Sequence, residues 1–536
     1  MKKIVLIYCS MLLIIVSCNT TPEGFKSIKP EVLRDKIAGG WAGKMIGVTY
    51  GAPTEFRAQG KTYNDSIKWK PGDIKGSIWQ DDLYVQLTFL MSMDKFGTDA
   101  PAKKFQEMFA RAGYPLWHAN MMARKNYYDS IFAPMSGQPE YNIHADDIDF
   151  QIEADYIGFM CPGMPVKAVE IADRIGHIMN YGDGVYGGIF VAALYSEAFF
   201  SNDINTLIEK ALRSIPAESD YARIVKDVVL LHQNYPADWH KAWDELEKKW
   251  GNVDICGAGD SFNIDAKLNG AYIVLGLLYG DGDPVKTMEI TTRCGQDSDC
   301  NPSNAMAVLG VMRGFSALPE DMKEGINKIA DTLFINTSYS FNKAVESTYN
   351  YAISLAEQNQ GKVSSGRILI KIQDPQPAMT ESSFPGLLFG KTIPVSENKL
   401  WIAKGNWDKF HNGRKVSSDA DLLSSSKAGS ELQLTFEGTG ISINGSWIKE
   451  GGKADIYIDG KLNRTIDTYY NFSGQEHQNV SIWHQFGLTE GKHLFKLVVK
   501  GEKRPEASGT EVQVNSAVIF RNGVRVCDTY KFPFEK

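Results

Sequence analysis

Four aspartates stand in two tight groups far apart in the chain, Asp81 with Asp82 and Asp297 with Asp299. Each group precedes an apolar run at helical spacing, Leu83 to Met91 in the first case and Asn304 onward in the second. One Asp at a helix start is explained by capping, because its carboxylate accepts backbone N–H bonds and suits the helix dipole. A second carboxylate alongside adds repulsion unless a cation relieves it, and clustered oxygens without a Lys or Arg suit a hard divalent ion. On spacing alone, capping and metal binding both stay open. Asp297 and Asp299 are two apart, so both can face one way only if their loop curls. Pro302 fits the first turn of the helix that follows.

Other residues allow further chemistry, each with an ordinary structural alternative. Trp79 precedes the first pair, with Trp41 and Trp69 not far off; such rings stack on sugar faces or fill cores. His144 precedes Asp146, Asp147 and Asp149, a group that reads better as a solvated acidic loop than as a second cation site. Cys161, Cys256, Cys294 and Cys300 could pair in an oxidising compartment, but sequence cannot assign partners. Cys300 lacks an obvious base and is a poor candidate nucleophile.

The elements that must hold these residues fall into two regimes. Residues 24–360 read as one all-α domain, with apolar side chains at three and four spacing and Gly- and Ala-rich segments that let helices approach closely. Residues 361–380 include Asp374-Pro-Gln-Pro and read as a linker. Residues 381–536 alternate with period two, as in Leu432, Leu434, Phe436 and in Phe495, Leu497, Val499, and Asp459-Gly460 signals a hairpin. That half reads as a β-sandwich, with Trp401, Trp407, Trp447 and Trp483 serving either its core or a glycan surface.

Residues 1–17 form a leader, with Lys2 and Lys3 before an apolar stretch too short to span a bilayer comfortably. The stretch ends in Ile-Val-Ser-Cys, which resembles a bacterial lipoprotein signal with Cys18 as the acylated residue. The expected location is the envelope of a Gram-negative bacterium, on the periplasmic side or outer-membrane surface, with the lipid as the sole membrane contact. Loss of two lysines takes the net charge from −7 to −9, so nothing favours nucleic acid as a partner. With 43% apolar and 23% charged residues, disordered and fibrous classes are excluded.

Five segments in order resemble the ADP-ribosylglycohydrolase family: Ile37-Ala-Gly-Gly-Trp-Ala-Gly-Lys-Met-Ile-Gly running to Gly51-Ala-Pro-Thr-Glu-Phe56; Trp79-Gln-Asp-Asp-Leu83; Ile152 to Pro165; Ala172 to Gly188; and Thr291-Thr-Arg-Cys-Gly-Gln-Asp-Ser-Asp-Cys-Asn-Pro with the small-residue helix after it. The resemblance implies an all-α bundle carrying one or two divalent ions, Mg²⁺ or Mn²⁺ or else Ca²⁺. It implies Asp81, Asp82, Asp297 and Asp299 as metal ligands, with Gln80 offering a carbonyl oxygen. Glu55 becomes the first choice for acid/base catalysis, with Asp183 and Glu153 behind it and His177 and Trp79 as substrate contacts. The sequence departs from the family at Gln80 and Cys300, where a hydroxyl residue is usual, and at Lys44, where Asp is frequent.

The implied reaction is hydrolysis of a glycosidic bond through an oxocarbenium-like transition state. The β domain resembles jelly-roll modules of secreted carbohydrate-active enzymes. The expected protein is an exported metal-dependent glycoside hydrolase, acting on a glycan, a glycoside or an ADP-ribosyl group. The alternative is a surface lipoprotein that binds glycan without cleaving it, its metal site degenerate.

Overall fold

The computed structural model describes residues 21–257, 259–397 and 399–535. The leader and Cys18 lie outside the described residues. Among those described, no helix is long and apolar enough to cross a membrane.

Two helices are buried around almost their whole circumference, Asp183–Ala198 and Ala266–Gly280, and form the centre of the helical domain. The helix Pro30–Gly51 starts with proline, whose missing N–H costs nothing in the first turn. It runs antiparallel to Cys300–Arg313 at unusually close range. A methyl group on Gly39, Gly43 or Gly47 would lie 2.2–2.3 Å from the carbonyl oxygens of Gly310, Met306 and Pro302, respectively. Glycine at every fourth position is what permits that backbone contact. The ladder ends at Gly51, where a methyl would sit 1.9 Å from the Ser298 carbonyl oxygen, inside the loop that carries Asp297 and Asp299.

Half of the expected linker is structured. Lys362–Ser364 and Arg367–Lys371 pair antiparallel and add to Phe25–Ile28, closing a small sheet on the helical domain. Ile368 and Ile370 are buried there, so the alternation in Arg367-Ile-Leu-Ile-Lys belongs to a strand of the first domain.

The C-terminal domain consists of a seven-stranded and a five-stranded antiparallel sheet. Their inward residues are those the alternation selects, including Leu432, Leu434, Phe436, Ile443, Ile456, Phe495 and Leu497. Asp459 and Gly460 both take positive φ and join Lys453–Ile458 to Lys461–Asp467 as a two-residue turn. Trp401, Trp447 and Trp483 are buried, so these three belong to the core.

The two domains are docked. Phe472 stacks on Tyr128 with centroids 3.8 Å apart, and Arg504 bridges Asp129 and Asp467 at 2.6 and 2.9 Å. The His484 ring nitrogen Nε2 donates to the Pro139 carbonyl at 2.8 Å. After the last strand the chain returns to the helical domain. Arg525 pairs with Asp220, Arg223 with Asp528 at 3.0 Å, and the Tyr530 hydroxyl donates to Glu245 at 2.7 Å.

Candidate active site

Gln80 is the extended residue before the helix Asp81–Phe96, and its carbonyl accepts from Leu83 and Tyr84. Asp81 and Asp82 therefore occupy the first turn. Trp79, just before them, is 64% exposed, so it is no core residue and is free to meet a ligand.

The second group reaches them because its loop does curl. Gly295 and Gln296 both take positive φ, a left-handed pair that turns Asp297 and Asp299 inward. The loop is strapped to the Glu55 turn by two backbone bonds, Phe56 N–H to Gln296 O at 3.0 Å and Gln296 N–H to Ala58 O at 2.8 Å. The hydroxyls of Thr54 and Ser298 add a third link at 2.7 Å. Glu55, Asp297 and Asp299 thus place one oxygen each within 4.8 Å of one another, and Asp82, Asp299 and Cys300 form an adjoining group.

This crowding is visible in the proton affinities. Burial, then Asp299 and Asp82, push the Glu55 carboxyl up to about 8, although the side chain keeps solvent access. Burial, then Asp82 and Glu55, push Asp81 to about 7. Burial is also the main cause for Asp297, again about 7, and for Asp299, which lies well above the usual carboxylate range. Asp297 Oδ1 and Asp299 Oδ1 are buried without a hydrogen-bond partner. Orphaned hard oxygens converging under mutual repulsion fit a divalent cation of the Mg²⁺ or Mn²⁺ kind.

Asp82 corrects the expectation of carboxylates free of any lysine. The Lys44 ammonium, fully buried in the glycine-rich helix, lies 2.8 Å from Asp82 and 3.1 Å from Asp155, and donates to the Ile152 carbonyl at 2.8 Å. Burial disfavours that ammonium, but Asp155 and Asp82 outweigh it and hold its pKa above that of a free lysine. The Cys300 thiol donates to the other Asp82 oxygen at 3.0 Å. Asp82 is thus engaged on both oxygens within the chain, whereas Glu55, Asp297 and Asp299 have no such ion pair among the described residues.

The other candidates separate. Glu153 is fully buried rather than solvated; Asn120 donates to one of its oxygens and the other is unpartnered. It belongs to the same acidic wall, with Asp149 and Asp81 among the charges that raise it after burial. Asp149 accepts the Ala119 and Asn120 N–H groups at 3.2 and 3.0 Å, which caps the helix His118–Tyr128. Asp183 accepts the Tyr221 N–H at 2.9 Å at the start of helix Asp220–Asn234. His177 bonds the Asp173 carbonyl through Nδ1 and Glu381 through Nε2 at 3.0 Å, and so anchors the crossover segment between the domains. Gln80 makes no side-chain cap bond.

Two further sequence expectations are corrected. The segment Asp146–Asp149 is buried, not a solvated loop, with Asp146 paired to Lys267 at 2.7 Å. The five described cysteines 161, 256, 294, 300 and 527 are free thiols. Asp155 and Asn120 escaped the sequence reading because each acts through contacts with distant segments and sits in no spaced motif.

The bundle gathers carboxylates from two remote helix starts, and residues 29–351 match the ADP-ribosylglycohydrolase family. The chain belongs to that family. An "A type blood alpha-D-galactosamine galactosaminidase" of Flavonifractor plautii is 34% identical over 111 residues, which cover 21% of this chain and a tenth of that protein's length. Among solved structures, an ADP-ribosylglycohydrolase-related protein complex aligns with 60% of this chain and 99% of its own, at 14% identity and a TM-score of 0.44. The CBM36-1 domain of a multidomain xylanase from the hindgut metagenome of Trinervitermes trinervoides aligns with 25% of this chain and 98% of its own, at 15% identity and a TM-score of 0.17.

Proposed function

We propose that the protein is an exported, metal-dependent glycoside hydrolase whose substrate is a glycan or glycoside rather than an ADP-ribosyl group. The observation that carries this reading is the convergence of Glu55, Asp297 and Asp299, the two aspartates with unpartnered buried oxygens and, among the described residues, no lysine or arginine on the three. Those three would hold one divalent ion, Mg²⁺ or Mn²⁺, with Asp81 beside them. When bound, the ion supplies a positive charge that polarises sugar hydroxyls and water.

The chain's own residues do the rest. Glu55 is the most exposed of the group, so the oxygen it does not give to the ion can take a proton from an attacking water. The surrounding carboxylates favour the positive charge that develops at the anomeric carbon. Trp79 offers an apolar ring at the rim for the face of a sugar. The leader ending at Cys18 supports action outside the cytoplasm, where glycans are the more available substrate, and the segment shared with a galactosaminidase supports a sugar.

The test compares release of free sugar from a glycan panel with release of ADP-ribose from a modified peptide, with and without EDTA. Sugar release that falls by about a hundredfold or more with EDTA and in Asp297→Ala is expected. Activity indifferent to both overturns the metal role, and release of ADP-ribose alone overturns the substrate class. The engagement of Asp82 by Lys44 and Cys300 favours a second reading, a glycan binder. Sugar retention without turnover, together with no bound metal by elemental analysis, would establish it.

A further inference from the structure

A second cluster of donors lies outside the carboxylate site. His118 opens the helix His118–Tyr128, His144 and Asp147 belong to the loop before Asp149, and Cys256 belongs to the loop after Trp250. One donor atom from each lies within 4.8 Å of all the others. Asp147 Oδ2 is the hub: His144 Nδ1 is 2.7 Å away, the Cys256 sulfur 3.4 Å and His118 Nδ1 3.6 Å.

Three features separate this cluster from an ordinary hydrogen-bond network. Asp147 is wholly buried, yet its Oδ1 has no partner. The nearby lysine does not serve it, since Lys267 pairs with Asp146 and Asp265 at 2.7 and 2.5 Å. The donors are two imidazoles, a thiol and one carboxylate, a soft-to-borderline set that suits neither Mg²⁺ nor Ca²⁺.

We propose that His118, His144, Asp147 and Cys256 form a tetrahedral site for a borderline divalent transition ion of the Zn²⁺ kind. Ligands about 2.0–2.3 Å from such an ion stand roughly 3.2–3.8 Å from one another, so the observed separations need only small side-chain shifts. The charges balance: an ionised Asp147 and Cys256 with two neutral imidazoles cancel a divalent ion, which makes burial of the whole group cheap. Binding displaces the proton shared by His144 and Asp147 and the thiol proton of Cys256, and both pass to solvent.

The supports are already rigid. Asp254 holds the Cys256 turn by accepting the Gly257 and Ile264 N–H groups at 2.9 and 2.8 Å. The His144 N–H is held by Asn142 at 2.9 Å, and Ile148 N–H donates to the Ile264 carbonyl at 3.0 Å. The site borders a cavity of about 250 Å³ lined by both domains, with Trp117 and Met121 on one side and Asn444 and His477 on the other. Four protein ligands make it a closed, structural site. It would fasten the loop that leads into Asp149 and the helix that Asp149 caps.

The test uses the full chain stripped of metal, then titrated with Zn²⁺ against a competing chelator and, separately, with Co²⁺. Expected are one tightly held Zn²⁺ per chain, intense tetrahedral cobalt bands, and a sulfur-to-cobalt charge-transfer band. Cys256→Ser should abolish the sulfur band, and His144→Ala should weaken Zn²⁺ by about a hundredfold or more. Asp297→Asn, which alters the carboxylate site, should leave all three readings unchanged. A wild-type cobalt spectrum of weak octahedral type overturns the proposal without any variant. So does a sulfur band or Zn²⁺ affinity that survives both substitutions. The inference stands or falls independently of turnover.

Discussion

At the scale of single residues, Lys44 decides how much of the acid cluster is free. Its ammonium already pairs with both Asp82 and Asp155 in a place that water does not reach. Removing one partner of a buried ion pair leaves the other charge uncompensated, which costs about 3–5 kcal/mol. Lys44→Met is therefore expected to lower unfolding free energy by that amount in denaturant titration. Adding Asp82→Asn should recover part of the loss, and full additivity of the two changes would sink the coupling. The sequence made the aspartates legible because paired acids before helices are unusual. It left Lys44 as a mere departure from the family pattern, because nothing in spacing says that Asp82 and Asp155 meet its side chain. For the same reason His118 went unmarked and Cys256 counted only as a disulfide candidate: they meet through loops, where no period constrains side-chain direction.

At the scale of elements, the glycine ladder on Pro30–Gly51 sets the depth at which the second aspartate pair lies. Its last rung, Gly51, touches Ser298 backbone, and Asp297 and Asp299 flank that residue. Gly51→Ala has no room for its methyl group, so the loop must move. Overpacking of this kind costs about 1–3 kcal/mol. The expected outcome is a modest drop in thermal stability with a disproportionate loss of Mg²⁺ or Mn²⁺ affinity by calorimetry. Unchanged metal affinity would mean that the ladder serves packing alone. The β regime was readable from period-two alternation, and helices such as Asp220–Asn234 and Phe341–Gln358 from one buried side, whereas the central helices Asp183–Ala198 and Ala266–Gly280 show as near-continuous apolar runs. The strands at 362–371 were misread as linker because the strand that fixes them to the helical domain, Phe25–Ile28 against Arg367–Lys371, lies over three hundred residues earlier. Short strands with a remote partner carry little local signal.

At the scale of the whole molecule, the docking face carries a buried histidine. Burial, with Arg464 adding to it and the bond to Pro139 opposing it, lowers His484 to about 4. An unfolded chain takes up a proton below about 6.5 that the folded protein refuses. Stability from this group is thus present above pH 6.5 and is lost as pH falls toward 4. Wild-type melting temperature should decline across that window. His484→Gln, which keeps a donor for the Pro139 carbonyl, should flatten the decline; an identical slope would assign acid sensitivity to other groups. The two domains are joined covalently by the crossover that His177 and Glu381 pin, and are held a second time where the C-terminal segment returns and pairs Arg525 with Asp220. Two tethers define a line, and bodies joined along a line can fold about it but cannot part like a jaw on one pivot. Trp79 and Glu55 are the exposed members of the acidic region, so a ligand is expected to reach the carboxylates from their side.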